Sequence, residues 1–172
     1  MIIAGIGSRK TPAEVLKVME LFARTAAAKG IWFRSGHADG ADYAFEKGAL
    51  TQCIVYLPWK SFNHNLEVLG RARSLDDLDT EAFKHVIEHE PYAAGCSNGV
   101  KLLKCRNVYQ ILGESLDKPC DFVVCWTEDG FGGGGTGLAL KIAKDYNIPI
   151  LDLGAVDPLL LSEDFIWRTI NG

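Results

Sequence analysis

The sequence predicts a single α/β domain built on a doubly wound parallel sheet, and three observations carry that expectation. Five short apolar runs, IIAGI (2–6), IWF (31–33), CIVYL (53–57), DFVVCW (121–126) and IPILDL (148–153), alternate with segments of helical periodicity. Each run is nearly continuous in apolar residues rather than alternating, as strands covered on both faces require. With 172 residues, 48% of them hydrophobic, the chain suits one core and leaves little room for a second.

After the first run, Thr11-Pro12-Ala13-Glu14 predicts a helix start, with Thr11 as cap, Pro12 at the first helical position and Glu14 completing a capping box. Val15, Met19, Phe22, Ala23 and Ala26 then keep helical spacing until Gly30. The second run leads into RSGHADGADYAFEKGAL (34–50), a turn-rich stretch passing into a helix. Residues 58–119 are expected as a helical insertion between strands three and four. In it, LPWKSFNHN reads as an irregular loop over the sheet edge. Residues 79–90 read as a helix capped by Asp79 with Phe83, Val86 and Ile87 inward, and residues 97–114 as a helix capped by Ser97. Thr136 to Tyr146 is helical, and SEDFIWRTI is a short helix packed through Phe165, Ile166 and Trp167. The expected strand order is 3-2-1-4-5, a Rossmann-like arrangement with its switch point between strands one and four. Ligands in such sheets bind beyond the carboxyl ends of the strands, where the glycine-rich loops after strands one, two and four meet.

Composition narrows the function. Charged residues are 23% with no low-complexity tract, which argues against disorder. MIIAGIGSRK has neither the basic start nor the apolar length of a signal peptide, and no run approaches the roughly 18 apolar residues of a membrane span. A cytoplasmic protein without membrane contact is expected. Five cysteines, with no C-x-x-C pair, read as reduced thiols. The net charge of −4 gives no support to bulk nucleic-acid binding. His85-Val86-Ile87-Glu88-His89 has the order of some zinc sites but no clear third ligand, so no metal is expected.

Three stretches carry chemistry. In Gly5-Ile6-Gly7-Ser8-Arg9, glycines let backbone approach a phosphate while Ser8 and Arg9 add a hydroxyl and a guanidinium. The third glycine of a dinucleotide fingerprint is missing, and no cofactor is implied. FGGGGTGLAL (131–140) places four glycines before Thr136 and a helix, a nest of amides for an anion; it is not a Walker loop, since no G-K-[ST] follows. In the 34–50 stretch, Asp39 and Asp42 are candidates for helix capping or for ribose hydroxyls, and His37 for a ligand contact or a surface position. Leu103, Asn107 and Ile111 are spaced four apart, so Asn107 falls on an apolar helical stripe and must find a partner, with Arg106 flanking it.

Taken in order, GIGSRKTP, RSGHADGADYAFEKGAL, CRNVYQILG and FVVCW with its glycine-threonine loop resemble the DNA-processing protein A (DprA/Smf) family. The second stretch resembles that family's S-G-x-A-x-G-I-D…A…G-A-L signature, with Ala41 in place of the isoleucine. Arg106-Asn107 resembles its R-N-R motif, with Val108 in place of the second arginine. The resemblance spans about residues 2–153. It implies a Rossmann-like nucleotide-binding fold akin to that of the Lonely Guy phosphoribohydrolases, binding of nucleotides or single-stranded DNA, and homo-oligomers. The chain is expected to be a compact stand-alone version of the kind phages carry. Lonely Guy enzymes have a P-G-G-x-G-T-x-x-E loop, and matching Gly132–Thr136 to it puts Ala139 where their glutamate stands.

The expected ligand contacts are Gly7, Ser8, Arg9, Ser35, Gly36, His37, Asp39, Gly40, Asp42, Arg106, Asn107, Trp126, Gly133, Gly134, Gly135 and Thr136. The ligand is a nucleotide or other phosphorylated small molecule, or single-stranded DNA, bound without assigned catalytic residues. The alternatives are a nucleotide N-glycosidase or phosphoribohydrolase, and a binder that sequesters a nucleotide signal. For a polynucleotide, Trp59, Phe62 and Trp126 are the expected stacking platforms. Lys60, Arg71, Arg73, Lys101 and Lys104 would form a basic path, opposed by Asp76, Asp77 and Asp79.

Overall fold

The computed structural model describes residues 1–64, 71–75 and 77–172. Six strands form one all-parallel sheet: β1 (Ile2–Gly5), β2 (Trp32–Ser35), β3 (Cys53–Leu57), β4 (Ala72–Ser74), β5 (Phe122–Cys125) and β6 (Ile150–Asp152), in the order β4-β3-β2-β1-β5-β6. The five expected strands take their expected order. The sixth, β4, lies inside the insertion and extends the edge beyond β3. Its residues are Ala-Arg-Ser, which carry no apolar run to announce a strand.

Among the described residues six α-helices cover the sheet: α1 (Ala13–Ala28), α2 (Ala41–Ala49), α3 (Thr80–His89), α4 (Asn98–Leu112), α5 (Gly137–Asp145) and α6 (Glu163–Asn171). Because successive strand residues face opposite ways, neighbours in sequence enter different cores. Ile3, Phe33 and Val124 pack with Phe22, Phe45 and Ile166 of α1, α2 and α6. Ala4, Tyr56 and Val123 pack with Val86, Val108, Ile111 and Ile142 of α3, α4 and α5. The chain winds outward from β1 to β4, then returns across the sheet to β5. The switch point is therefore between β1 and β5, whose register pairs Gly5 with Val124.

Helix starts follow the expected signals in part. Asp79 caps α3, accepting from the N–H groups of Glu81 (2.8 Å) and Ala82 (3.3 Å). Thr11 does not cap α1: its hydroxyl donates to Ser8 O (2.7 Å), closing the β1–α1 turn, and Pro12 is the residue before the helix. Gly40, with φ 85°, precedes α2, and neither Asp39 nor Asp42 caps it. Ser97 precedes α4 without a capping bond. In α6, Ser162 caps by accepting from Phe165 N–H (3.1 Å), Ile166 is buried, and Trp167 meets Phe22 edge to face at 5.5 Å.

The LPWKSFNHN stretch is irregular with a short 3-10 turn at Phe62–His64, while its last residue, Asn65, and Asp76 lie outside the described residues. All five cysteines are free thiols, four of them buried. Among the described residues no helix is long and apolar enough to cross a membrane.

Candidate functional site

A crevice of about 830 Å³ opens beyond the carboxyl ends of β1 and β5. Residues 6–10 after β1, Ala38 and Asp42 around the start of α2, one face of α4, and Glu128, Asp129, Gly133 to Thr136 and Ala139 after β5 form its walls. The α4 face contributes apolar Val100 and Leu103 and polar Lys104, Arg106, Asn107 and Gln110. That volume lies within the usual range for small-molecule sites.

Asp42 and Arg106 are its buried charged pair. Asp42 Oδ1 accepts from Gly7 N–H (3.2 Å), while Gln110 Nε2 donates to Oδ2 (3.4 Å) and Arg106 Nη1 stands 3.6 Å from it. Burial pushes the Asp42 carboxyl up to about 6, against the pull of Arg106 and with a further push from Glu46. Arg106 Nη1 donates to Gly36 O (2.6 Å), and its guanidinium lies 5.7 Å from the Phe62 ring centroid. Its Nε is buried with no hydrogen-bond partner among the described residues. Burial lowers the Arg106 pKa, and nearby Arg9 lowers it further despite Asp42. Arg9 is exposed at the mouth and makes no ion pair among the described residues. Two cations thus converge where an anion would relieve both.

The glycine loop is organised from within. Asp129 Oδ1 accepts from Phe131 N–H (3.0 Å), Gly133 N–H (3.1 Å) and the Thr127 hydroxyl (3.1 Å), and these bonds hold its carboxyl below the ordinary value. The nest expected of four glycines is therefore partly filled by the chain's own carboxylate. Gly134 and Gly135 open the 3-10 turn Gly134–Thr136 ahead of α5, where the first N–H groups have no intrahelical acceptor. Asn107 finds the partner its position demanded: Nδ2 donates to Gly135 O (3.0 Å), tying α4 to the loop.

Ten of the expected contacts line the crevice: Gly7, Ser8, Arg9, Asp42, Arg106, Asn107, Gly133, Gly134, Gly135 and Thr136. The other six lie outside its wall. The Ser35 hydroxyl is buried within reach of Gly5 O (2.8 Å) and Asp42 O (3.1 Å). Gly36 makes room for Arg106. His37 is neither on the surface nor on the crevice wall; it is buried, with main-chain N–H and Nδ1 both on the Glu46 carboxylate (2.7 and 2.6 Å). Asp39 is exposed. Gly40 lets the chain pass Ser8 O, which a Cβ there would approach to 2.6 Å. Trp126 is half-buried against the core.

Gln110 was not expected in the site. It is fully buried one turn beyond Arg106, and that spacing of four is the signal that could have found it. The expected stacking platforms face inward: Phe62 is buried and half-buried Trp59 packs on it edge to face at 5.3 Å. The basic path is partly neutralised, with Arg73 beside Glu114 (3.4 Å) and Lys104 paired to Glu90. His89 serves packing, its ring nitrogens meeting His85 O (2.8 Å) and the Asp145 carboxylate (2.9 Å).

No family model matches the sequence, and no curated protein matches it. A solved structure to which the chain is similar is that of DNA processing protein A from Helicobacter pylori, described for its unique single-stranded DNA binding mode. The TM-score is 0.58 at 19% identity, over the whole of this chain and 74% of that one. What the two share is the fold.

Proposed function

We propose that the crevice binds a phosphorylated nucleotide, either free or as the end of a single strand of DNA. The observation that supports this is the convergence of Arg9 and Arg106 on the crevice that the Gly134–Thr136 turn ahead of α5 also lines, with the buried Arg106 Nε lacking a hydrogen-bond partner among the described residues. A phosphate there would take charge-assisted bonds from both guanidiniums and backbone bonds from Gly134 and Gly135. Val100 and Leu103 give the remainder of the ligand an apolar wall. The fold shared with DNA processing protein A and the order of the four sequence stretches support the same ligand class. A cytoplasmic, homo-oligomeric protein of the phage type is part of the same proposal.

Mass spectrometry of whatever is released from protein purified without added nucleotide tests the reading directly. Titrations at two salt concentrations separate the two forms of the ligand. A nucleoside monophosphate is expected to bind with weak salt dependence, and an oligonucleotide weakly. Tight oligonucleotide binding that falls steeply with salt would make the polymer the ligand.

A second reading has one observation in its favour. The Asp42 carboxyl, at about 6 and facing the crevice, is poised to exchange a proton near neutral pH, as an N-glycosidase acid requires. Ala139, which lines the crevice where the Lonely Guy glutamate would stand, weighs against it. Release of free base from nucleoside monophosphates, lost in Asp42→Asn, would establish this reading.

A further inference from the structure

We propose that Phe131 is the stacking platform for the base of the bound nucleotide, so that the ligand is base-bearing rather than a bare sugar phosphate; this rests on the nucleotide reading above. Phe131 is 86% exposed, more than any other aromatic among the described residues. Burying a phenyl ring is among the larger gains available to a folding chain, and this ring forgoes it. Nor does it hang from a loose tip. Its N–H is held by Asp129 Oδ1, and the glycines on either side take left-handed backbone, Gly130 at φ 69° and Gly132 at φ 90°. Both glycines press on the body of the protein: a Cβ on Gly130 would lie 2.9 Å from Ala155 Cα, and one on Gly132 3.0 Å from Leu140 Cδ1. The ring is displayed by a fixed backbone.

Phe131 is not itself a wall residue, but its backbone adjoins the wall. Asp129 and Gly133, two residues to either side, belong to the crevice wall, which puts the Phe131 Cα within about 7.6 Å of each. The amides assigned to the phosphate follow at Gly134 and Gly135. Amides for phosphate beside an aromatic face for a base is the combination that nucleotide and single-strand sites use, and the face serves any base. Of the aromatic residues that the sequence offered for this task, Phe62 is buried and Trp59 and Trp126 are half-buried against the core, whereas Phe131 presents almost its whole ring.

The test uses the full chain, with the common nucleoside 5′-monophosphates and ribose 5-phosphate as probes in calorimetry. Phe131→Ala is expected to weaken the monophosphates about tenfold while ribose 5-phosphate binds as before, and Phe131→Trp to restore the loss. Equal weakening of both probes would make the residue a loop support, and an unchanged affinity for the monophosphates would remove it from the site; either result overturns the proposal while leaving the nucleotide reading intact. If the unaltered protein binds neither probe, this proposal and the free-nucleotide form of the reading fall together.

Discussion

Asp42 and Asp129 belong to two walls of one crevice, and each accepts backbone N–H groups from a glycine-bearing loop. Asp42 takes the Gly7 amide after β1; Asp129 takes those of Phe131 and Gly133 after β5. Their protonation is nonetheless driven in opposite directions. The fully buried Asp42 rises to about 6 even with Arg106 beside it, whereas the solvent-facing Asp129 falls below its ordinary value of 3.8. The same hydrogen-bonding device thus gives opposite chemistry because desolvation outweighs Arg106 and the backbone amides in the first case and is a minor influence in the second. One wall holds a carboxyl able to change charge near neutrality, and the other a permanent anion.

The contrast breaks most severely if Arg106 is removed. Arg106→Ala leaves Asp42 buried without its counter-charge, at an expected cost of about 3–5 kcal/mol of folding stability at pH 8. The cost shrinks at pH 5, where Asp42 carries no charge. Denaturant melts at the two pH values check this, and an equal cost at both would mean that packing, not charge, is what Arg106 supplies.

Asp42→Asn sharpens the contrast from the other side. Because the folded protein holds this proton more tightly than the unfolded chain, the protein loses stability as pH rises from 3.8 towards about 6. At about 1.36 kcal/mol per pH unit the gap amounts to about 3 kcal/mol. The variant, which has no proton to lose, is expected to gain that much on the parent between pH 4 and pH 7. Parallel stability curves would show that Asp42 titrates normally.

A smaller effect is expected at the mouth. Arg9→Ala should weaken nucleoside monophosphate binding by about 1–3 kcal/mol and leave the melting midpoint where it was. Retained affinity with a lowered midpoint would assign Arg9 to the fold. The mildest effect belongs to the exposed carboxylate. Its contribution is present above 3.8 and is given up as pH falls further, so Asp129→Ala at neutral pH should act locally. Hydrogen exchange at the Phe131 and Gly133 amides should quicken while the melting midpoint holds; unchanged exchange there would mean that the loop keeps its shape unaided.

The sheet was legible because strands covered on both faces are rich in apolar residues: β1, β3 and β5 are nearly continuous in them, and β2 and β6 open on Trp32-Phe33 and Ile150-Leu151 before ending in polar residues. β4 was not, since an edge strand paired only to β3 can be built from Ala72, Arg73 and Ser74. Three of the expected site segments were legible from their glycines and their place after a strand. What stayed hidden was which polar groups point inward. Gln110 looks like the wet face of a helix until the crevice supplies a second polar surface for it. His37, with φ 57°, is drawn from the crevice wall by Glu46, nine residues away on α2, a pairing that no local spacing reveals.

Gly36 has a consequence for anyone who would move this site to another scaffold. A Cβ there would stand 2.6 Å from both Arg106 Nη1 and Gln110 Nε2, and its carbonyl is what Arg106 holds, across 70 positions of sequence. The 34–50 stretch and α4 are therefore one transplantable part, though they are written in two places. A graft of the first alone arrives with a socket and no guanidinium to fill it. A graft of α4 beside a strand that ends in any larger residue brings a guanidinium with nowhere to go.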